Sequence, residues 1–464
     1  MIHMNPRSLL IASVLLLAAG CRHGGQTAFT GAANEVELIV LDPGHFHAAL
    51  VQKSSCPQVS PIVHVYAPQG EDVARYLDLI AAFNNRAVDP THWNEVIYTG
   101  SDYLERMLAG RKGNLVVLAG RNGAKTDYIH RSVSAGFNVL SDKPMAIDSE
   151  SFSLLLNSFA MARRRGVLLC DIMTERYEAT NALQRELART DELIGPIDRG
   201  TPDDPAIIKE SVHHFSKVVS GAPLIRPEWY FDVKSQGEGI VDVTTHLVDL
   251  VQWTVVGEKP FDYRKQVRIN SARRWPTPIS KEQYRRVTGK DDYAPLLAPC
   301  IENDTLKVYS NGQIDYELCG INVRIAVRWD YAAPAGGGDT HYALVRGARG
   351  SVVIRQGAGQ NYRPALYVEM APGGNAADFE RTLNRCVARL ADGEYPGLEA
   401  VGVDSGVWQI VIPQKYDVGH EAHFGQVMQK YLRFLTEGKV PDWEVAGMKA
   451  KYYTTTRALE IATE

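Results

Sequence analysis

The sequence predicts an α/β fold in two parts: a doubly wound parallel sheet first, then an α+β domain built on a large, mostly antiparallel sheet. Three observations carry this expectation. Short apolar runs alternate with helical stretches up to residue 170, the pattern of strand–helix–strand crossovers. Beyond Gly195-Pro196-Ile197 the texture changes to longer β-rich stretches, such as residues 322–331 and 350–355. The chain has 464 residues, 45% hydrophobic and 22% charged, enough for two or three domains around sizeable cores.

At the start of the chain, Arg7 precedes an apolar run, residues 9–19, that ends in Leu17-Ala18-Ala19-Gly20-Cys21. A charged start, a short apolar core and small residues before a cysteine make an export signal, too short to span a bilayer. It is similar to a bacterial lipoprotein signal, with Cys21 as the lipidated first residue. Ordinary secretion with cleavage near Gly20 is the alternative. Residues 1–21 are therefore expected to be the signal, and residues 22–34, small and polar, a tether. Apolar runs at 36–41, 61–66, 115–119, 138–140 and 167–170 read as buried parallel strands. Helices are expected between them at 72–83, 102–108, 126–135 and 149–165. Residues 35–172 make the first domain and 173–464 the second. The second carries helices at 241–255, 423–437 and 448–462, and a hairpin-like turn at Ser310-Asn311-Gly312. A net charge of -4, without blocks of like charge, gives no reason to expect nucleic acid. Five further cysteines are scattered without a Cys-x-x-Cys. Buried thiols are expected, with Cys300–Cys319 the one bridge considered.

Two segments carry the chemistry. The strand-like run Asn138-Val139-Leu140-Ser141-Asp142 ends on Lys143-Pro144. Further on, Gly237-Glu238-Gly239 leads into Asp242, His246 and Asp249, which share one face of the expected helix beside an apolar stripe of Val243, Leu247, Leu250 and Val251. An imidazole between carboxylates suits proton transfer near neutral pH. A solvated face with one histidine is the plainer reading of such a helix. Together the segments resemble the glucose–fructose oxidoreductase / inositol dehydrogenase (Gfo/Idh/MocA) family. There a lysine of a Glu-Lys-Pro motif and an Asp-x-x-x-His pair face a nicotinamide ring. Arg176-Tyr177 and Ile194-Gly195-Pro196-Ile197 are further landmarks of the resemblance, which runs from Val36 to Val256.

The resemblance implies a Rossmann dinucleotide-binding domain, a substrate domain, and NAD as cofactor, with NADP left open. It implies Lys143, His246 and Asp242 as the catalytic group: His246 takes the hydroxyl proton, Lys143 holds the same oxygen, and Asp242 orients His246 or binds a neighbouring hydroxyl. In the loop after the first strand, Asp42-Pro43-Gly44-His45-Phe46-His47, only Gly44 survives of Gly-x-Gly-x-x-Gly. Gly44, His45 and Phe46 are expected near the cofactor. So are Gly120, Arg121, Asn122 and His130 of the second loop and helix, and Asp142 beside Lys143. Three readings stay open: NAD held through a modified loop, another ligand, or a fold that has lost its cofactor. His45-x-His47 offers only two metal ligands, so no metal is expected. His213, His214, Trp229 and Asp249 are the expected sugar contacts, with the tryptophan as an aromatic platform. His420 and His423 are read as substrate contacts or plain structure.

The expected activity is NAD(P)-dependent oxidation of a ring CH–OH in a sugar or glycoside, C3 first. The cofactor should stay tightly bound, because an exported protein meets no free NAD pool. Two alternatives remain: an NAD-dependent glycosidase acting by oxidation and elimination, and a non-catalytic carbohydrate-binding lipoprotein. A membrane anchor through Cys21, facing the periplasm or cell surface, and a homo-oligomer through the C-terminal sheet complete the expectations.

Overall fold

The computed structural model describes residues 28–219 and 222–464; the export signal, Cys21 and the first part of the tether lie outside the described residues. Among the described residues no helix is long and apolar enough to cross a membrane. Six parallel strands form the first sheet: β1 (Val36–Leu41), β2 (Val59–Ala67), β3 (Asn94–Thr99), β4 (Leu115–Leu118), β5 (Asn138–Asp142) and β6 (Leu169–Ile172). Their spatial order is β3-β2-β1-β4-β5-β6. The order reverses between β1 and β4, so the crevice in which doubly wound folds bind ligands opens at the C-terminal ends of these two strands. β4 is buried at every position and β1 at all but Glu37, as expected where helices cover both faces of a sheet. The apolar-run reading misses β3. It is an edge strand without a buried residue, and such a strand needs no apolar run. After β1 comes only a single helical turn, His47–Leu50, so little helix dipole is available at that loop.

The second sheet has ten strands. Its path runs from Val267–Ser280 through Thr305–Leu318, Ile321–Ala332, Ile207–Ser216, Thr340–Arg346, Gly350–Gln356, Ala365–Met370 and Val407–Val411 to Glu399–Asp404. Only the pairing of Ile321–Ala332 with Ile207–Ser216 is parallel. Ser310-Asn311-Gly312 is not a turn, because it lies inside the strand Thr305–Leu318. The hairpin turns at Cys319-Gly320, both at positive φ (54° and 80°), as a two-residue type I′ turn requires. Gly312 has another reason to be there. A Cβ on it would lie 2.5 Å from Ile240, and a Cβ on Gly239 would lie 1.7 Å from the Ser310 carbonyl. The two glycines let the segment before the helix Thr244–Val255 lie directly on the sheet.

The C-terminal helices His420–Glu437 and Asp442–Thr463 return to the first domain. The Tyr431 hydroxyl donates to the carbonyls of Val139 and Leu168 (both 3.3 Å), and that of Tyr452 donates to Asp171 (2.8 Å). All five described cysteines are free. Cys170 and Cys386 are buried as expected. Cys319 is exposed, and no bridge joins it to Cys300.

Candidate functional site

β5 brings Lys143 to the mouth of the crevice, with a cis peptide bond to Pro144. Lys143 Nζ donates to Asp242 Oδ1 (2.7 Å), and Asp242 Oδ2 accepts from Gln236 Nε2 (3.1 Å). Burial alone would depress the lysine, but Asp242 and Asp142 outweigh it, and the Lys143 pKa lies above its ordinary value. His246 stands in the first turn of Thr244–Val255. Burial, then Lys143 and His420, hold its imidazole well below the usual range against the pull of Asp142 and Asp249. It is therefore neutral near pH 7 and able to accept a proton. Its Nδ1 is buried without a hydrogen-bond partner.

Two expectations are corrected here. Asp242 does not orient His246. The helix starts only at Thr244, so Asp242 sits in the preceding turn and reaches Lys143 instead. Asp249 is 1% exposed and accepts from Arg176 (2.6 and 2.7 Å) and Lys451 (2.8 Å). Arg176 and Lys430 also hold Glu444, and Lys451 holds Asp171, so three cations face three carboxylates. This buried network ties β6, the His246 helix and the two C-terminal helices together. Asp249 is a strut, not a sugar contact.

A wall of polar groups leads from Lys143 to the second sheet. Burial, then Glu178, lift the Glu175 carboxyl to about 7 against the pull of Lys143. Burial drops Lys209 to about 7, opposed by Glu178. Burial, then Lys209 and His213, drop His341 to about 3, and its Nε2 is buried without a partner. Lys209, Ser211 and His213 alternate along Ile207–Ser216 and so share one face, with His341 opposite Ser211. His213 Nε2 meets Ser211 Oγ (3.0 Å), and its Nδ1 lies 3.4 Å from Asp339. Asp339 also holds His214 (2.8 Å) and Lys217 (3.2 Å), so it fixes the histidines rather than activating one of them. His213 stays on the wall, whereas His214 is 4% exposed and acts as a buried prop, which corrects its expected sugar contact. Sequence reading passed over Glu175, Lys209, Asp339 and His341. The available signals were a lone lysine in the apolar run Ala206-Ile207-Ile208 and an acid directly before Arg176.

At the topological switch point Asp42 takes a left-handed φ of 46°, the conformation a glycine provides there. Its carboxylate accepts from the Tyr128 hydroxyl (3.1 Å) and lies 3.6 Å from Arg121, so its charge is compensated; burial raises its pKa. A Cβ on Gly120 would lie 2.3 Å from the Asp42 carbonyl, and His45 N–H donates to the Ala119 carbonyl (3.0 Å). The two loops therefore touch. A Cβ on Gly44 would lie 3.2 Å from Trp229 Cζ2. Trp229 is 6% exposed, donates to Asp72 (3.0 Å) and stacks with Arg121 (5.3 Å), which also binds Asp72 (2.8 Å). It is not an open sugar platform. The ring packs against Gly44 on the side that a Cβ would take, while Gly44 also lines an open cleft. Two clefts open from this point. One of about 330 Å³ is lined by Pro68, Gly70, Arg75, Arg121 and Lys290, and one of about 380 Å³ by Gly44, Phe46, Tyr76, Ile225 and Tyr230.

The remaining expected cofactor residues are distributed unevenly. Asn122, 3% exposed, donates to the Gln236 carbonyl (2.7 Å), and His130 meets Ser158 (3.2 Å) between two helices, so neither faces the crevice. Asp142 is already held by His47 (2.9 Å) and lies 3.8 Å from His45. Lys125, unnoticed in the sequence, is pushed by burial to about 8 and donates to the Asp142 carbonyl (3.0 Å). The His420 ring lies 5.6 Å from that of His47, and His423 is buried. A dinucleotide fits the crevice at both ends. Glycines and a cleft stand at the switch point, and Lys143 with the unpaired His246 Nδ1 stands at the nicotinamide end.

The family model described as "Oxidoreductase family, NAD-binding Rossmann fold" matches residues 41–170, and that described as "Putative oxidoreductase C terminal domain" matches residues 183–463. Among solved structures, a "putative oxidoreductase" from Parabacteroides merdae ATCC 43184 is 55% identical with a TM-score of 0.93, over 94% of this chain and 99% of its own. Biliverdin reductase from Synechocystis sp. PCC 6803, solved with biliverdin and NADP+, is 10% identical with a TM-score of 0.56, over 92% of this chain and 99% of its own. KijD10, a 3-ketoreductase from Actinomadura kijaniata solved with TDP-benzene and NADP, is 13% identical with a TM-score of 0.53, over 91% and 96%. These last two share the fold alone. No curated protein matches in sequence. With both parts of the chain matched and a nearly full-length relative at 55% identity, the protein belongs to the Gfo/Idh/MocA oxidoreductase family and carries its NAD-binding Rossmann domain.

Proposed function

We propose that the protein oxidises a ring CH–OH of a sugar or glycoside, C3 first, with NAD(P) as cofactor. The supporting observation is the Lys143–Asp242 ion pair beside a neutral His246 whose Nδ1 lacks a partner. When bound, NAD(P) supplies the hydride acceptor. Lys143 Nζ, kept as an ammonium, donates to the substrate oxygen and offsets the charge that develops as the hydroxyl proton leaves. The neutral His246 imidazole takes that proton. Asp242 fixes Lys143. The half-buried His213 and His341 beside Ser211 offer polar groups, which suits a polyol better than an apolar ligand. The 3-ketoreductase among the fold neighbours supports C3 as an analogy of fold.

One observation favours a second reading, a glycosidase acting by oxidation and elimination. Glu175, held near neutrality close to Lys143, gives the second proton-transfer group that removal of a C2 proton needs. Incubating the protein with NAD+ and a panel of glycosides separates the two by mass spectrometry. A keto-sugar product supports the oxidoreductase. A free sugar without net NADH supports the glycosidase. Absence of NAD(P) binding in calorimetry removes both and leaves a carbohydrate-binding protein, the reading that the indole packed against Gly44 favours. From the export signal we also propose a lipid anchor on Cys21. Cys21→Ser should release the protein from the membrane fraction, and an acyl-free, soluble wild type would reject the anchor.

A further inference from the structure

His45 and His47 leave β1 on the same short loop, and Asp142 ends β5. Sequence spacing gave two ligands and no third, but the fold supplies it. His47 Nδ1 lies 2.9 Å and His45 Nδ1 3.8 Å from the same oxygen, Asp142 Oδ2. The three ligand atoms all fall within 4.8 Å of one another, the one such cluster of three among the described residues. A tetrahedral ion with bonds of 2.0–2.2 Å sets its ligand atoms about 3.4 Å apart. The two measured separations straddle that value.

We propose that His45, His47 and Asp142 form a binding site for a divalent transition ion of the zinc class. Two imidazoles and one carboxylate are a ligand set that such ions favour over Mg²⁺ or Ca²⁺, which take oxygen. Three protein ligands leave the fourth position open. A plain hydrogen bond between His47 and Asp142 explains one contact but not the second imidazole. His45 Nδ1 otherwise meets only the backbone N–H of His47, at 3.4 Å. An ion here clamps the phosphate loop to the end of β5, one residue before Lys143. The site does not depend on the proposed substrate, so its failure and the failure of the hydride-transfer reading are separable.

The test uses the full chain, treated with a chelator and titrated with Zn²⁺ alone in a calorimeter. One ion per chain should bind. His47→Ala, His45→Gln and Asp142→Asn should each weaken binding by at least about tenfold, since loss of even an outer partner of a metal ligand costs 10–100-fold. His213→Ala should bind like the wild type. Co²⁺ should give the visible absorption of a tetrahedral site in the wild type and lose it in the variants. Zn²⁺ should raise the wild-type melting temperature but not that of His47→Ala. Should His47→Ala fail to fold, His45→Gln, at a partly exposed side chain, carries the same comparison. A wild type that takes up no Zn²⁺ at about 100-fold over micromolar protein, or equal binding in all three variants, overturns the site. Binding lost only in His420→Ala does so as well.

Discussion

Lys143 keeps a full charge in a place where burial would remove it, because Asp242 lies 2.7 Å away. Asp242→Asn takes that counter-charge away and leaves the desolvation, so the lysine pKa must fall. The alkaline limb of the kcat/KM profile should then move to lower pH. An unmoved limb would mean that the pair does not set the protonation of Lys143. His246 has the opposite character. Its pKa is lowered, so its base form persists on the acid side of the ordinary imidazole value of about 6.5, and activity should hold below that pH. Lys143→Met and His246→Ala should each cut turnover by about 10² or more while leaving the fold intact. The double variant should lose less than the product, because both groups act on one oxygen. Near-normal turnover in either single variant would assign them to structure. Lys143-Pro144 and Asp242-x-x-x-His246 were legible because each is a local spacing. Glu175, Lys209 and Asp339 were not, since no local spacing marks them.

The helix Thr244–Val255 is fixed from two sides. Below it the Gly239 segment rests on the sheet at Ser310, and at its middle Asp249 enters the ion network. Gly239→Ala has no room for its methyl group against a backbone carbonyl. It should lower the melting temperature and turnover together, whereas a change at Gly289, which meets nothing within 4 Å, strains only its own φ of 74°. Asp249→Ala leaves Arg176 and Lys451 buried with too little negative charge and should cost about 3–5 kcal/mol. Burial would raise the Asp249 pKa, but Arg176 and Lys451 hold it well below the usual carboxylate range. Its contribution is therefore full above the unfolded value of about 3.9 and is lost as pH falls through the lower folded value. Thermal melts should show wild type and Asp249→Asn well apart at neutral pH and converging in strong acid. A constant gap would mean that the network contributes packing and not charge. At this scale the alternation of strands and helices was readable from apolar runs. Asn311-Gly312 misled because a glycine needed for close packing looks in sequence like a glycine needed for a turn. β3 escaped because an edge strand carries no apolar signal.

Across the whole molecule the two domains meet at many contacts, and one of them is a single ring. Trp229 comes from the second domain, yet it lies against Gly44 of the first and is anchored there by Asp72 and Arg121. The indole packs beside Gly44 at the loop where this fold holds a pyrophosphate, and Arg121 is spent on Asp72 and Asp42. A swing of the indole away from the loop would free a guanidinium that can meet a phosphate. An apparent dissociation constant is the intrinsic one divided by the fraction of binding-competent molecules. Trp229→Ala should therefore tighten NAD(P) binding and speed association, by about tenfold for a closed form outweighing the open one ten to one. Asp72→Asn loosens both anchors without removing the ring and should act in the same direction. In the wild type, NAD(P) should change tryptophan emission at a rate that saturates with ligand concentration, because opening precedes binding. Weaker NAD(P) binding in Trp229→Ala, with unchanged binding in Asp72→Asn, would make the ring a stacking surface for the cofactor and would reject the gate.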